Sequence, residues 1–157
     1  MKVLFLCTAN SCRSILSEAM FNHLAPPGMR AYSAGSQPSG VVNPLSLQVL
    51  ANAGIDTQGL ASKACDAHRE LAPDFVISVC GNAAKQECPT YFGNATRLHW
   101  GLEDPSEVSG DARQISAAFA HTLAQIQRRL QVFIDLPREQ FTPQQLQQEL
   151  AKIGTLA

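Results

Sequence analysis

Two cysteines and an arginine stand close together in CTANSCRS (7–14), directly after the apolar run VLFL. A thiol at the end of a strand, followed by a compact turn and a helix start, lies where backbone N–H groups converge with the positive end of a helix dipole. Such surroundings bind an oxyanion, depress a thiol pKa and hold a thiolate ready as nucleophile. Cys7 opens the turn as candidate nucleophile. Arg13 closes it, able to grip two oxygens of a tetrahedral oxyanion in a planar fork. Thr8, Ala9, Asn10, Ser11 and Cys12 form the cradle between them, and Ser14 can donate its hydroxyl to the sulfur. Asn10 falls mid-loop, where Asn tolerates a left-handed backbone. Packing is the common use of a free cysteine, but the whole CTANSCRS between strand and helix is more specific than a bare C-x5-R. Zinc spacing is lacking, since no C-x2-C pair or nearby histidine accompanies the loop.

To hold these groups the chain needs strands that end on one rim. Residues 2–6 read as a strand buried on both faces, and 13–24 as a helix stopped by Pro26-Pro27-Gly28. RAYSA (30–34) is a second strand. Asn43 caps a second helix, with Pro44 at its first position and Gly54 just past its end. A short helix or loop follows over 62–71. DFVISVC (74–80) is the clearest buried strand, and 96–100 is a weaker fourth. A long amphipathic helix over 112–134 places Ile115, Ala118, Phe119, Leu123, Ile126, Leu130 and Phe133 on one face. Pro137 stops it, and Thr142-Pro143 starts a last, Gln-rich helix to about Ile153, expected to be loosely held.

Alternating strands and helices predict an α/β fold, a four-stranded parallel sheet with helices on both faces, as one domain over 1–157 in which 137–157 is a helical extension. Ligands of such sheets sit beyond the carboxyl ends of the strands, where Cys7, Cys80 and HWGLEDP (99–105) all fall.

Composition narrows the partners. The 157 residues are 45% hydrophobic and 16% charged, with a formal net charge of −1. No basic field for nucleic acid or a membrane surface exists, so an anion must be bound by a local site. No apolar stretch approaches the roughly 20 residues of a membrane span. The polar residues after VLFL do not suit a signal peptide, which predicts a cytoplasmic protein. Five cysteines, an odd number, do not read as a secreted disulfide framework.

C-x5-R-S after an N-terminal strand resembles the low-molecular-weight protein tyrosine phosphatases and the arsenate reductases that share their fold. The resemblance covers about residues 2–136, through CTANSCRS, YSAGS (32–36), VCGNAAKQECP (79–89) and HWGLEDP. It implies two-electron reduction of arsenate to arsenite in a low-molecular-weight phosphatase-like fold, with Cys7, Arg13, Cys80, Cys88 and Asp104 as catalytic residues. Cys80 and Cys88 distinguish the reductases, because phosphoryl transfer needs neither thiol. In the implied relay Cys7 bonds arsenic, a Cys7–Cys80 disulfide forms as arsenite leaves, and the disulfide then moves to 80–88. An all-helical 80–88 segment would hold the two Cα atoms ~12 Å apart. A disulfide spans at most about 7 Å. The relay therefore needs a turn, for which Gly81, Asn82, Ala83 and Ala84 are suitable. The spacing is one residue longer than in the thioredoxin-coupled members, so the reductant is expected to be thioredoxin, or glutaredoxin with glutathione.

Asp104, fixed by Pro105, is the implied general acid for the departing oxygen. HWGLEDP precedes a long helix, as in the reductases, whereas the equivalent Asp-Pro of the phosphatases comes near the final helix. Asn10, Glu18 and Ser33 match positions that help to bind a structural potassium ion in some reductases. Here Lys63 stands near the fourth, acidic ligand, so its ammonium is expected in the ion's place, and neither metal nor cofactor is expected. Cys12, Cys65, His68, His99 and His121 read as structural or surface residues. Two other functions compete with arsenate reduction: hydrolysis of aryl phosphates, and non-enzymatic sensing of oxyanions or redox state.

Overall fold

The computed structural model describes residues 1–80 and 94–157. Cys88 and the expected turn at 81–84 lie outside them. Four strands, β1 (Lys2–Cys7), β2 (Arg30–Gly35), β3 (Phe75–Ser78) and β4 (Thr96–His99), form a parallel sheet in the order β2-β1-β3-β4. Helix α1 (Arg13–Leu24) connects β1 to β2, and α2 (Pro44–Asn52) lies between β2 and β3. Helices α3 (Ala112–Asp135) and α4 (Pro143–Ile153) follow β4.

β1 is central and fully buried from Val3 onward, as its uninterrupted apolar run requires. Alternate residues serve opposite faces. Val3, Phe5 and Cys7 join the core built with α1, α2 and α3. Leu4 and Leu6 pack with Ala34, Val76 and Cys65 under a short 3-10 helix, Cys65–His68, on the other face. The register places Cys7 opposite Gly35 on one side and Leu6 opposite Ser78 on the other. The carboxyl ends of the three strands therefore share one rim.

The helix ends follow local chemistry. Asn43 caps α2 by accepting from the Leu45 N–H at 2.9 Å, with Pro44 at the first helical position. Asp111 and Gln114 form a reciprocal capping box at the start of α3, as Thr142 and Gln145 do at α4. From α3, Phe119, Leu123, Ile126, Leu130 and Phe133 are buried as its spacing predicts, but so is Arg129. Phe133 meets Phe21, Phe75 and Trp100 with ring centroids 5.4–6.0 Å apart.

The expectation of a loosely held α4 is corrected by its packing. Leu150 and Ile153 are buried, and the Leu150 carbonyl accepts the Trp100 indole N–H at 3.0 Å. Two buried apolar side chains, half-buried Leu146 and one buried hydrogen bond dock a helix whose outer face is largely polar. None of the helices among the described residues is long and apolar enough to cross a membrane.

Phe133 joins α1, α3, β3 and the loop after β4, so Phe133→Ala is expected to cost about 3–5 kcal/mol by opening a cavity among three aromatic rings. Denaturant unfolding with an unchanged m-value would measure it; a loss below about 1 kcal/mol would refute the central place given to this ring.

Candidate active site

The loop from Cys7 to Arg13 is held from outside. The carbonyls of Cys7, Thr8, Ala9 and Ser11 accept N–H groups of Ser36, Gln37, Ser39 and Asn43 at 2.9–3.3 Å. Side-chain hydroxyls add to this, Ser62 donating to the Ala9 carbonyl at 3.0 Å and Ser46 to the Ser11 carbonyl at 3.1 Å. No peptide bond is cis among the described residues. In a trans peptide the N–H points opposite to the carbonyl. Turning these carbonyls outward therefore turns the N–H groups of Thr8, Ala9, Asn10 and Cys12 inward. Helix α1 begins at Arg13 behind them with no side-chain cap, so its first N–H groups are also available to an anion.

Asn10 shapes the turn from within. It is fully buried and has φ +49°, the left-handed conformation expected of it. Its amide donates to Ser14 Oγ at 2.8 Å and Ser33 Oγ at 3.0 Å, and its Oδ1 accepts the Lys63 N–H at 2.9 Å. Ser33 Oγ in turn donates to Glu18 Oε1 at 2.5 Å, and burial pushes the Glu18 carboxyl above its usual range. Ser14 is thereby engaged with Asn10. The expectation that Lys63 places its ammonium among Asn10, Glu18 and Ser33 is corrected: Nζ donates to the Ala61 carbonyl at 2.7 Å on the exposed side, and the main-chain N–H does the binding. The positive charge still reaches Glu18 and partly opposes the effect of burial.

Gly35 was missed by sequence reasoning. A Cβ there would lie 2.5 Å from the Thr8 carbonyl oxygen and 3.0 Å from the Asn10 backbone nitrogen. Only glycine lets β2 run so close under the loop. The signal lay in YSAGS, where a glycine ends a strand beside the loop-bearing one.

On the inner side, Cys7 and Cys80 are buried in the same core, both 2–4% exposed. Thr8 Oγ1 is 3.4 Å from Cys80 Sγ. Two residues 73 positions apart are thus joined because β1 and β3 are neighbours. This nearness has a consequence opposite to the sequence expectation. The Cys7 thiol is pushed up strongly, first by the neighbouring Cys80 thiol and then by burial, while Arg13 and the Thr8 N–H pull the other way. The loop groups do favour a thiolate, as predicted from CTANSCRS, but a second buried thiol beside the first outweighs them.

Arg13 and Asp104 complete the rim. Arg13 Nη2 lies 3.3 Å from Asp104 Oδ2, and Nη1 donates to the Leu102 carbonyl at 3.1 Å. Asp104 Oδ1 accepts from the Ser106 N–H at 2.9 Å and the Ser106 hydroxyl at 2.6 Å. Arg13 Nε is buried and finds no acceptor among the described residues. A guanidinium donor left unpaired in a buried site is costly unless a ligand oxygen uses it.

The remaining sequence candidates are given no side-chain role in this chemistry. Cys12 is buried, and desolvation raises its thiol. Cys65 Sγ donates to the Gly35 carbonyl at 3.7 Å under the opposite face of the sheet. His68 Nε2 is 2.9 Å from the Ser33 carbonyl and its pKa is lowered by burial. His99 Nδ1 bonds Ser78 Oγ at 2.8 Å, and His121 is exposed on α3.

Residues 2–152 match the family model for low molecular weight phosphotyrosine protein phosphatase. The arsenate reductase of Halalkalibacterium halodurans is 33% identical over 133 residues, 85% of this chain and 94% of its own. Among solved structures, an arsenate reductase from Archaeoglobus fulgidus superposes with TM-score 0.69 at 25% identity, covering 84% of this chain and 98% of that one. A thioredoxin-dependent arsenate reductase from Corynebacterium glutamicum superposes with TM-score 0.57 at 28% identity, covering 84% of this chain and 62% of that one.

Removing the Cys80 sulfur takes away the largest influence that pushes the Cys7 thiol up and leaves Arg13 in place. Cys80→Ala is therefore expected to shift the alkylation profile of Cys7, read by mass spectrometry against pH, to lower pH than in the wild type. An unchanged or upward-shifted profile would contradict the assigned cause.

Proposed function

The chain belongs to the low molecular weight phosphotyrosine protein phosphatase family, and on that premise we propose that it reduces arsenate to arsenite through a three-cysteine relay. The observation that carries the reading is the place of Cys80, buried beside the loop with its Sγ 3.4 Å from Thr8 Oγ1 and its thiol near enough to act on Cys7. Phosphoryl transfer has no use for a second thiol against the nucleophile, whereas reduction of arsenic(V) needs one there.

Arsenate enters the ring of inward N–H groups, and its oxygens take up the donors of Arg13, including the otherwise unpaired Nε. Residues Thr8 to Ser14 supply the cradle. An oxygen of the bound arsenate takes the Cys7 proton, and the thiolate attacks arsenic. Asp104 protonates the departing oxygen, which leaves as water. Cys80, as thiolate, then attacks the Cys7 sulfur. The sulfur–arsenic bond breaks, its electron pair goes with arsenic as arsenite, and a Cys7–Cys80 disulfide remains. Cys88 attacks Cys80, returns the Cys7 thiol and forms the 80–88 disulfide. An external dithiol restores the two cysteines. Thioredoxin is the favoured donor, because one similar structure is that of a thioredoxin-dependent enzyme; glutaredoxin with glutathione is the alternative. A cytoplasmic location accords with a cycle that must be driven by a reducing thiol pool.

Arsenite release under a defined thiol-reducing system is the primary test. The wild type should turn over repeatedly, Cys7→Ser not at all, and Cys88→Ser should release one equivalent and stop with Cys7 and Cys80 bridged. Peptide mapping after one turnover identifies the bridge. Hydrolysis of aryl phosphate with no arsenite formed would overturn the reading in favour of a phosphatase. Full cycling of Cys88→Ser with every reductant would remove Cys88 from the relay.

Asp104→Asn should still bind oxyanion while adduct formation slows about 10²–10⁴-fold. Rapid single-turnover chemistry in that variant would assign the proton to another group.

A further inference from the structure

We propose that the segment 142–157, through Arg129, is a positioning element for the Asp104 loop, so that residues remote from the oxyanion loop set the rate of the proton-donating step. The proposal rests on the role given to Asp104 above.

The loop from Trp100 to Asp104 is held on three sides. On the sheet side, the Trp100 N–H donates to the Ser78 carbonyl at 2.8 Å and the Leu102 N–H to the Val79 carbonyl at 2.9 Å. On the site side, Arg13 takes the Leu102 carbonyl and the Asp104 carboxylate. The third side belongs to α3 and to the segment behind it. Arg129 Nη1 donates to the Trp100 and Gly101 carbonyls at 3.3 and 3.2 Å, while its Nε donates to the Leu156 carbonyl at 2.9 Å.

Arg129 is only 5% exposed and has no carboxylate partner among the described residues. Burying a guanidinium without a counter-charge is expensive, and its donors must be met by carbonyls. Those carbonyls lie on two separate segments, so the side chain fixes the distance between them. The indole adds a second tie, Nε1 donating to the Leu150 carbonyl. A third comes from close packing. A Cβ on Gly154 would fall 2.5 Å from Trp100 Cδ1 and 3.2 Å from the His99 carbonyl oxygen. Arg128 and Gln125 hold the outer end, donating to the Ala157 carbonyl at 2.8 Å and the Leu156 carbonyl at 3.2 Å.

Gly101 is bound by Arg129 and its neighbour Leu102 by Arg13. A displacement of segment 142–157 is thus passed through one peptide to the carboxylate that must meet the departing oxygen. Small misplacements at that distance from the chemistry reduce rate much more than binding.

The test uses Arg129→Gln and Gly154→Ala, each alone and combined with Asp104→Asn. Arg129→Gln removes the fork without leaving a buried charge, and Gly154→Ala crowds the indole with a single methyl group. Single-turnover adduct formation should slow about ten- to a hundred-fold while affinity for inorganic phosphate stays within about twofold. In the Asp104→Asn background the same changes should have little further effect, because both act on one step. Amide hydrogen exchange at Leu102 and Ser106 should accelerate relative to Leu16 in α1. Equal slowing with and without Asp104, loss of phosphate affinity in step with rate, or unchanged exchange at Leu102 would each overturn the proposal. If Arg129→Gln does not fold, Gly154→Ala decides alone. Should the wild type release no arsenite, the relay fails, and the exchange at Leu102 still judges the positioning element.

Discussion

A buried amide must find its hydrogen bonds inside the protein, and Asn10 finds them on three separate parts of the chain. One side chain thereby ties the first turn of α1, the middle of β2 and the backbone at residue 63 to the crest of the oxyanion loop. Its left-handed backbone is what lets the loop fold back on itself. Beyond it the network runs to Glu18 through Ser33, and the Ser33 carbonyl is met by His68. The shape of the site thus depends on polar side chains that bond to one another.

The outward carbonyls and inward N–H groups give the loop its electrostatics without any surplus of basic residues. That agrees with a chain whose net charge is −1. Within the loop two influences oppose each other. Arg13 and the oriented backbone favour anions, while paired thiols in a dry environment favour neutral sulfur. The balance pushes the Cys7 thiol up, so its ionisation is linked to the surroundings of Cys80.

Local effects are legible in the amino-acid sequence. The strand and helix limits follow from apolar runs, Pro26, Asn43, Pro44, Asp111 and Thr142, each of which acts on its immediate neighbours. The left-handed Asn10 is legible for the same reason. Long-range effects are not. The rise in the Cys7 pKa depends on a thiol 73 residues away, and Lys63 acts through a main-chain N–H that side-chain reasoning ignores. Arg129 reads as one more polar residue on an amphipathic helix, because periodicity assigns arginine to solvent. Its acceptors are backbone carbonyls 27–29 positions distant, which carry no sequence signature. The docking of α4 is hidden similarly, since two apolar side chains among glutamines give a weak pattern.

The central place of β1 also orders events during synthesis. β1 and β2 can pair once residue 35 has emerged, and the bonds of Asn10 are complete once residue 63 is out. The partners of Arg13 at the rim, Leu102 and Asp104, follow 89 and 91 residues after it. Domains fold as their chain leaves the ribosome, and non-local parallel pairing is the slow part. A nascent chain can therefore assemble this loop well before it owns the group proposed to donate a proton there, and the segment proposed to steady that group arrives later still.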